Sequence, residues 1–307
     1  MATTASTASR TPQLLTEELR AKTKGLHGKL DRLVQLGLFT VLDYRIYRQL
    51  LLGFYYVYKT FEEEYENHLK KVSQIHPWVL HAYAPELRRT EAFEADLAYF
   101  YGEDWKQNVS PSKSLQQYME HIRDIGKHHP EKLVAFPATM YLGIFFGGQI
   151  VRSKIVKATS FFPSPPNKKL GGEHDGGIAI FTFREKAPPS SSSPSSLGNV
   201  TISSNNYNDN QKGKKKDPIK LRNELKTQLN SIPGLDDTSE KAIKERQAIV
   251  DEAREIFARN MDLITEVDGV SKVWTRWIIR FFLYLAIAVA LYQFLTKESS
   301  FGNPLHL

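Results

Sequence analysis

The chain contains no cysteine. That excludes disulfides, catalytic thiols and metal sites built on thiolates, and it leaves histidine as the strongest metal ligand on offer. A reducing, cytosol-facing compartment fits the same usage. A phosphate-cradling P-loop, a dinucleotide fingerprint and an HExxH zinc pair are also missing. The stretch from Gly171 to Gly177 is glycine-rich, yet it lacks the strand-turn-helix setting that phosphate binding needs. Alternating apolar and polar runs, the mark of half-buried strands, are scarce, and no internal repeat is visible. Met1 to Gln13 has no apolar stretch of the kind a secretory signal requires, so it reads as a loose tail.

What is present is ordinary in bulk. A hydrophobic share of 41% and a charged share of 24% suit a globular protein, and 307 residues leave room for one core with appendages. The net charge of +7 is concentrated, because Lys212, Lys214, Lys215 and Lys216 lie in one polar run. A nucleic-acid partner is therefore not expected. His121, His128 and His129 read as solvent-exposed at a helix end and turn rather than as a metal site.

The C-terminal region differs. Trp274 to Leu295 is apolar except for Thr275, Arg276, Arg280 and Gln293, with Trp274, Trp277, Tyr284 and Tyr292 suited to membrane interfaces. Lys272, Arg276 and Arg280 sit on its N-terminal side, which places that side in the cytosol. The expected layout is a tail at 1–13, a helical domain at 14–268, a membrane span at 273–295 and a short tail at 296–307. Within the domain, 186–217 is rich in Pro, Ser, Asn and Lys and reads as a flexible insertion.

The domain itself is expected to be a compact all-α bundle. Thr16 is placed as the N-cap of a first helix carrying Leu19, Leu26, Leu30 and Leu33. Asp43 starts a long second helix with Tyr47, Leu50, Leu51, Phe54, Tyr58, Phe61 and Tyr65 on one stripe. Further helices are expected at Pro85 to Phe100, Lys113 to Lys127 and Glu131 to Phe161, the last kinked at Pro137. Asp217-Pro218 opens another, ending near Pro233-Gly234, and Ser239 to Val267 is the last of the bundle.

Three groups of residues invite a chemical reading. His27 follows Arg20 by seven positions, about 10.5 Å along one helix face. Gly143, Gly147 and Gly148 interrupt a helix at a cost of about 1 kcal/mol each relative to alanine. Bare backbone there admits either a flat ligand or another helix. Arg222 and Lys226 stand one turn apart on one face, as a carboxylate grip or a solvated basic face. Together the three supply a metal-binding nitrogen, a close-approach wall and cations at a rim.

Four motifs in order carry a resemblance: Lys24-Gly-Leu-His27, Tyr55-Tyr-Val-Tyr58 with Glu62-Glu-Glu64, Asp96-Leu-Ala-Tyr-Phe-Tyr-Gly102, and Tyr141-Leu-Gly with Gly147-Gly-Gln149. From about Leu14 to Asp268 the chain resembles the heme oxygenases, and its tail is similar to that of eukaryotic tail-anchored members. The resemblance implies heme b as cofactor and substrate, cleaved with dioxygen to biliverdin, iron and carbon monoxide. It also implies electrons from NADPH through a flavoprotein reductase, and residence on the endoplasmic reticulum membrane.

By the same resemblance His27 is the axial iron ligand, and Arg20, Arg222 and Lys226 hold the propionates. Gly143 and Gly147 line the distal face, while Tyr58, Thr139 and Asn260 match polar residues near its water network. The chain departs from the family at the distal carboxylate, which falls on Ile144. Further departures are Met140 for an arginine, and Ala138 and Pro111 for tyrosines. The expected pocket is drier and poorer at proton delivery. Two readings follow, a heme oxygenase and a membrane-tethered protein that captures or senses heme without degrading it.

Overall fold

A computed structural model describes residues 14–41, 43–71, 76–157, 170, 175–184, 214–235 and 237–301. The helices are α1 (Leu15–Val41), α2 (Tyr44–Lys70), α3 (Pro77–Ala82), α4 (Thr90–Tyr101), α5 (Trp105–Asn108), α6 (Lys113–His128), α7 (Gln149–Lys157), α8 (Pro218–Asn230), α9 (Glu240–Thr265) and α10 (Val270–Phe301). Among the described residues there is no strand, only one antiparallel bridge between Arg184 and Lys215. The all-α expectation holds.

Helix α2 runs through the middle. The Asp43 carboxylate accepts the Arg45 backbone N–H at 3.0 Å, closing the helix start as the sequence predicts. Tyr47, Leu51, Tyr55, Tyr58, Phe61 and Tyr65 form its buried stripe, packed against α4 and α6. Ser112, Asp217 and Ser239 cap α6, α8 and α9 in the same way. Helix α9 lies along α1 and the turn Pro130–Val134, completing the core.

Two helix starts differ from expectation for one reason, a cap supplied from far away. Thr16 lies inside α1 rather than capping it, and its backbone N–H donates to Asn230 Oδ1 at 3.0 Å. The expected helix from Pro85 to Phe100 is two pieces, a turn at Pro85–Leu87 and then α4. The break lets the backbone N–H of Arg89 (2.7 Å) and of Thr90 (3.2 Å) donate to the Glu62 carboxylate on α2. His121 likewise is no bystander: its ring lies 2.9 Å from the buried Glu252 carboxylate on α9.

Pro130–Lys157 is one continuous helical run, here called the glycine helix. It contains two wide π turns, Pro137–Tyr141 and Ile144–Gly148, before it regularises as α7. The first begins at Pro137, whose missing N–H removes a normal helical bond. Ala158 to Phe161, at the expected end of this helix, lie outside the described residues.

The expected insertion lies outside the described residues at 185–213, but its base is held together. Asp175, 3% exposed, meets Arg184 at 2.5 Å, Lys215 at 3.1 Å and Arg152 at 3.7 Å. Lys216 N–H donates to Phe183 O at 2.8 Å beside this clasp. Lys214 to Asp217, assigned to the insertion from sequence, are therefore ordered. Gly177 next to the clasp has φ +75, and a Cβ there would meet Phe100 and Leu170 at 2.8 Å, so only glycine fits.

Helix α9 hands over to α10 through a turn at Gly269, with φ +86. Val273 is still buried in the bundle, and the side chains beyond it are largely exposed. Val270–Thr296 is long and apolar enough to cross a membrane, and none of its most apolar window is buried. The glycine helix passes the same test but is 44% buried, as a core helix is. The helix of the expected span continues to Phe301, past the expected end at 295. Residues 1–13 and 302–307 lie outside the described part.

Candidate functional site

Helices α8 and α9 form a floor against which both α1 and the glycine helix pack. Helix α1 buries Leu15, Leu19 and Thr23 against this floor. Arg20 and His27 emerge at its edge, both exposed. The His27 ring rests edge-on against Phe257 of α9, with centroids 4.4 Å apart. Glu18 of α1 pairs with Arg246 of α9, which fixes the helix at its start.

The wall formed by the glycine helix is bare. Among the described residues, a Cβ added at Gly143 or Gly147 would meet no atom within 4 Å, whereas one at Gly148 would touch Phe181 at 3.1 Å. Among the described residues no neighbour occupies the space beside Gly143 and Gly147, which favours the flat-ligand reading over helix packing. These two glycines share an open stripe with Thr139, Phe146 and Ile150. Such a wall admits a flat ligand where any larger side chain would stand in its way.

Arg222 and Lys226 lie half-buried on α8, and both approach the Phe146 ring. Among the described residues neither makes an ion pair. A shallow groove of about 680 Å³ along α8, lined by Lys220, Asn223, Glu224 and Thr227, lies mainly on the face turned away from this pair. It has no titratable cluster suited to catalysis and is not the site.

Behind the bare wall the polar groups are tightly used. Tyr58 OH donates to Met140 O at 2.7 Å. Asn260 Oδ1 accepts from Tyr118 OH at 3.2 Å, while its Nδ2 lies 3.3 Å from Met140 Sδ. Burial pushes the Tyr58 phenol well above its ordinary range, so it stays a donor. Tyr58 and Asn260 are thus brought together at Met140, and Thr139 is half-buried next to it in the chain. Ile144 is 7% exposed and belongs to the apolar core. Ala138 and Pro111 are half-buried.

The sequence reading assigned no role to a buried network one turn away. Tyr141 OH donates to Glu62 Oε1 at 3.0 Å, and Thr90 Oγ1 donates to Oε2 at 2.5 Å. Burial raises the Tyr141 phenol well above its usual range, with the Glu62 charge adding to it. Arg89 beside it packs over the Phe183 ring, 4.0 Å from the centroid, and burial lowers its affinity for its proton. Glu62 stood inside a quoted motif, but nothing local indicated partners from the glycine helix and from the start of α4.

On α4, the Asp96 carboxylate accepts the N–H groups of Ala179 (2.8 Å) and Ile180 (3.0 Å). The loop it holds presses Phe181 against Gly148 and accepts a bond from Gln149 Nε2 at Phe181 O, 3.1 Å. Burial raises Asp96 to about 7, against the pull of those two N–H groups.

A family model described as heme oxygenase matches residues 13–266. Heme oxygenase 1 of Synechocystis is 29% identical over 291 residues, covering 94% of each chain. Heme oxygenase 1 of Gallus gallus is 34% identical over 177 residues, 56% of this chain and 54% of that one. The crystal structure of Synechocystis heme oxygenase-1 in complex with heme superposes with a TM-score of 0.63 at 28% identity, covering 89% of this chain and 100% of that one. Heme oxygenase-2 of the same organism, solved with heme and NO, shares the fold at a TM-score of 0.62 and 24% identity, over 85% of this chain and 88% of that one.

Proposed function

This chain belongs to the heme oxygenase family, and from that premise we propose how its own residues serve the reaction. The enzyme cleaves heme oxidatively to biliverdin, ferrous iron and carbon monoxide. The observation that carries the site assignment is the open space beside Gly143 and Gly147, on a helix that packs on the same α8–α9 pair as the helix bearing an exposed imidazole. The residues fit the ligand: His27 for the iron, backbone for the porphyrin face, and Arg20, Arg222 and Lys226 for the propionates. Bound there, heme supplies the iron that activates dioxygen.

The protein's part is positioning, exclusion and proton handling. Tyr58, Tyr118 and Asn260 brace Met140 so that the first π turn keeps its shape. Ile144 presents no acid, so water near the open stripe is ordered by the Thr139 hydroxyl and by backbone groups. An acid-base contribution of typically ~10² to 10⁴ in rate is thereby weakened. Electrons arrive from NADPH through a flavoprotein reductase. Helix α10 anchors the domain to a membrane, with Lys272, Arg276 and Arg280 on the cytosolic side, and the endoplasmic reticulum is the membrane proposed.

The test uses the full-length chain in detergent micelles. Stoichiometric hemin should give a shifted Soret band that His27→Ala alters, and reductase, NADPH and dioxygen should then yield biliverdin and carbon monoxide. An unchanged hemin spectrum with the parent chain overturns the site assignment. A Soret band that survives reduction and oxygen would favour heme capture without degradation. Ile144→Asp lowers stability by burying an acid in the core, and the fraction that folds and binds hemin should turn it over faster than the parent. Equal rates would show that the missing carboxylate does not limit the reaction.

A further inference from the structure

We infer that Phe146 is a positioning residue for the acid groups of heme, its ring gathering the two α8 cations into one anion-binding head. The inference rests on heme being the ligand of the cleft. Arg222 Cζ and Lys226 Nζ each lie 5.1 Å from the Phe146 ring centroid. That is inside the ~6 Å within which an aromatic face attracts a cation. Like charges one helical turn apart repel, and long basic side chains lose freedom when a ligand fixes them. A ring touched by both offsets the repulsion and limits the freedom before any ligand arrives.

The surroundings fit this role. Neither cation is ion-paired among the described residues, and the acid of this helix, Glu224, lies on its other face beside Lys220 at 3.9 Å. Arg222 bonds instead to the neutral Asn223 Oδ1, at 3.3 and 3.2 Å. An aromatic ring holds a cation without neutralising it, so both charges remain available to carboxylates. Phe146 is 48% exposed, so its ring is not committed to the core. It directly precedes Gly147, so it joins the bare wall to the cationic rim.

The experiment compares the full-length parent, Phe146→Leu and Phe146→Trp in micelles. Each is titrated with hemin and with hemin dimethyl ester, whose carboxylates are blocked. Phe146→Leu should weaken hemin binding roughly five- to thirtyfold, the order of the ordering cost that the ring spares two long side chains. Phe146→Trp should stay within about twofold of the parent, because its ring is the better cation partner. The ester should bind the parent and leucine chains about equally. An unchanged or tighter hemin affinity for the leucine chain overturns the inference, as does an equal loss with the ester or a failure of tryptophan to preserve binding. If the parent itself does not bind hemin, the ligand assignment falls and this inference with it. If the parent binds and the leucine chain is indifferent, this inference alone falls.

Discussion

The two faces of the glycine helix are built in opposite ways. Its inner face is tied down by Tyr58 to Met140, by Tyr141 to Glu62, and by Phe181 against Gly148. Its outer face offers Gly143 and Gly147 with nothing in front of them among the described residues. A helix with two π turns and three glycines is poorly stabilised by its own residues. The bonds behind it hold the backbone, so the front can remain empty. Stability is therefore concentrated on one face and ligand access on the other, and substitutions on the two faces should separate these properties.

The largest effect is expected at Glu62. Glu62→Ala strands the Tyr141 and Thr90 hydroxyls and two backbone N–H groups, and removes the buried charge facing Arg88. It should lower unfolding free energy by about 3–5 kcal/mol, measured by urea titration. A loss below about 1 kcal/mol would mean that the inner face does not carry the helix.

Asp96 comes next and tests the same face through pH. Its folded-state value is raised from 3.8 to about 7, so between these values the folded chain keeps a proton that the unfolded chain releases. Stability contributed by this group is present below about pH 4 and is lost as pH rises toward 7, by up to ~4 kcal/mol. Asp96→Asn should flatten the stability profile across that window. An unaltered slope would assign the pH dependence elsewhere.

The smallest effect has the opposite sign. Gly147→Ala meets no neighbour and improves helix propensity, so it should raise stability by up to ~1 kcal/mol. The same change should weaken hemin binding, because the added methyl stands where the porphyrin would lie. A variant that is both stabler and unimpaired in binding would erase the distinction between the faces.

Much of this architecture was legible in the sequence where the signal is local. Asp43, Ser112, Asp217 and Ser239 cap helices within three residues of themselves, and Pro137 disturbs the helix where it stands. Thr16 misled because its own backbone N–H is accepted by Asn230, 214 positions away, so the helix begins before it. His121 misled because Glu252 is 131 positions away. The candidate site was legible in the same degree. His27, Gly143 and Gly147 announced themselves by residue type and spacing, whereas the ring that links Arg222 to Lys226 exists only once α8 lies against the second π turn.

The clasp at Asp175 has a use in engineering. Arg184 and Lys215 are brought side by side by one buried carboxylate and their own bridge, so the two ends of any connection between them are fixed by the bundle. For a flexible loop, doubling the length costs only ~0.6 kcal/mol more to close. A reporter protein or an affinity tag spliced between these two residues would travel with the enzyme as cargo, its two attachment points already held together.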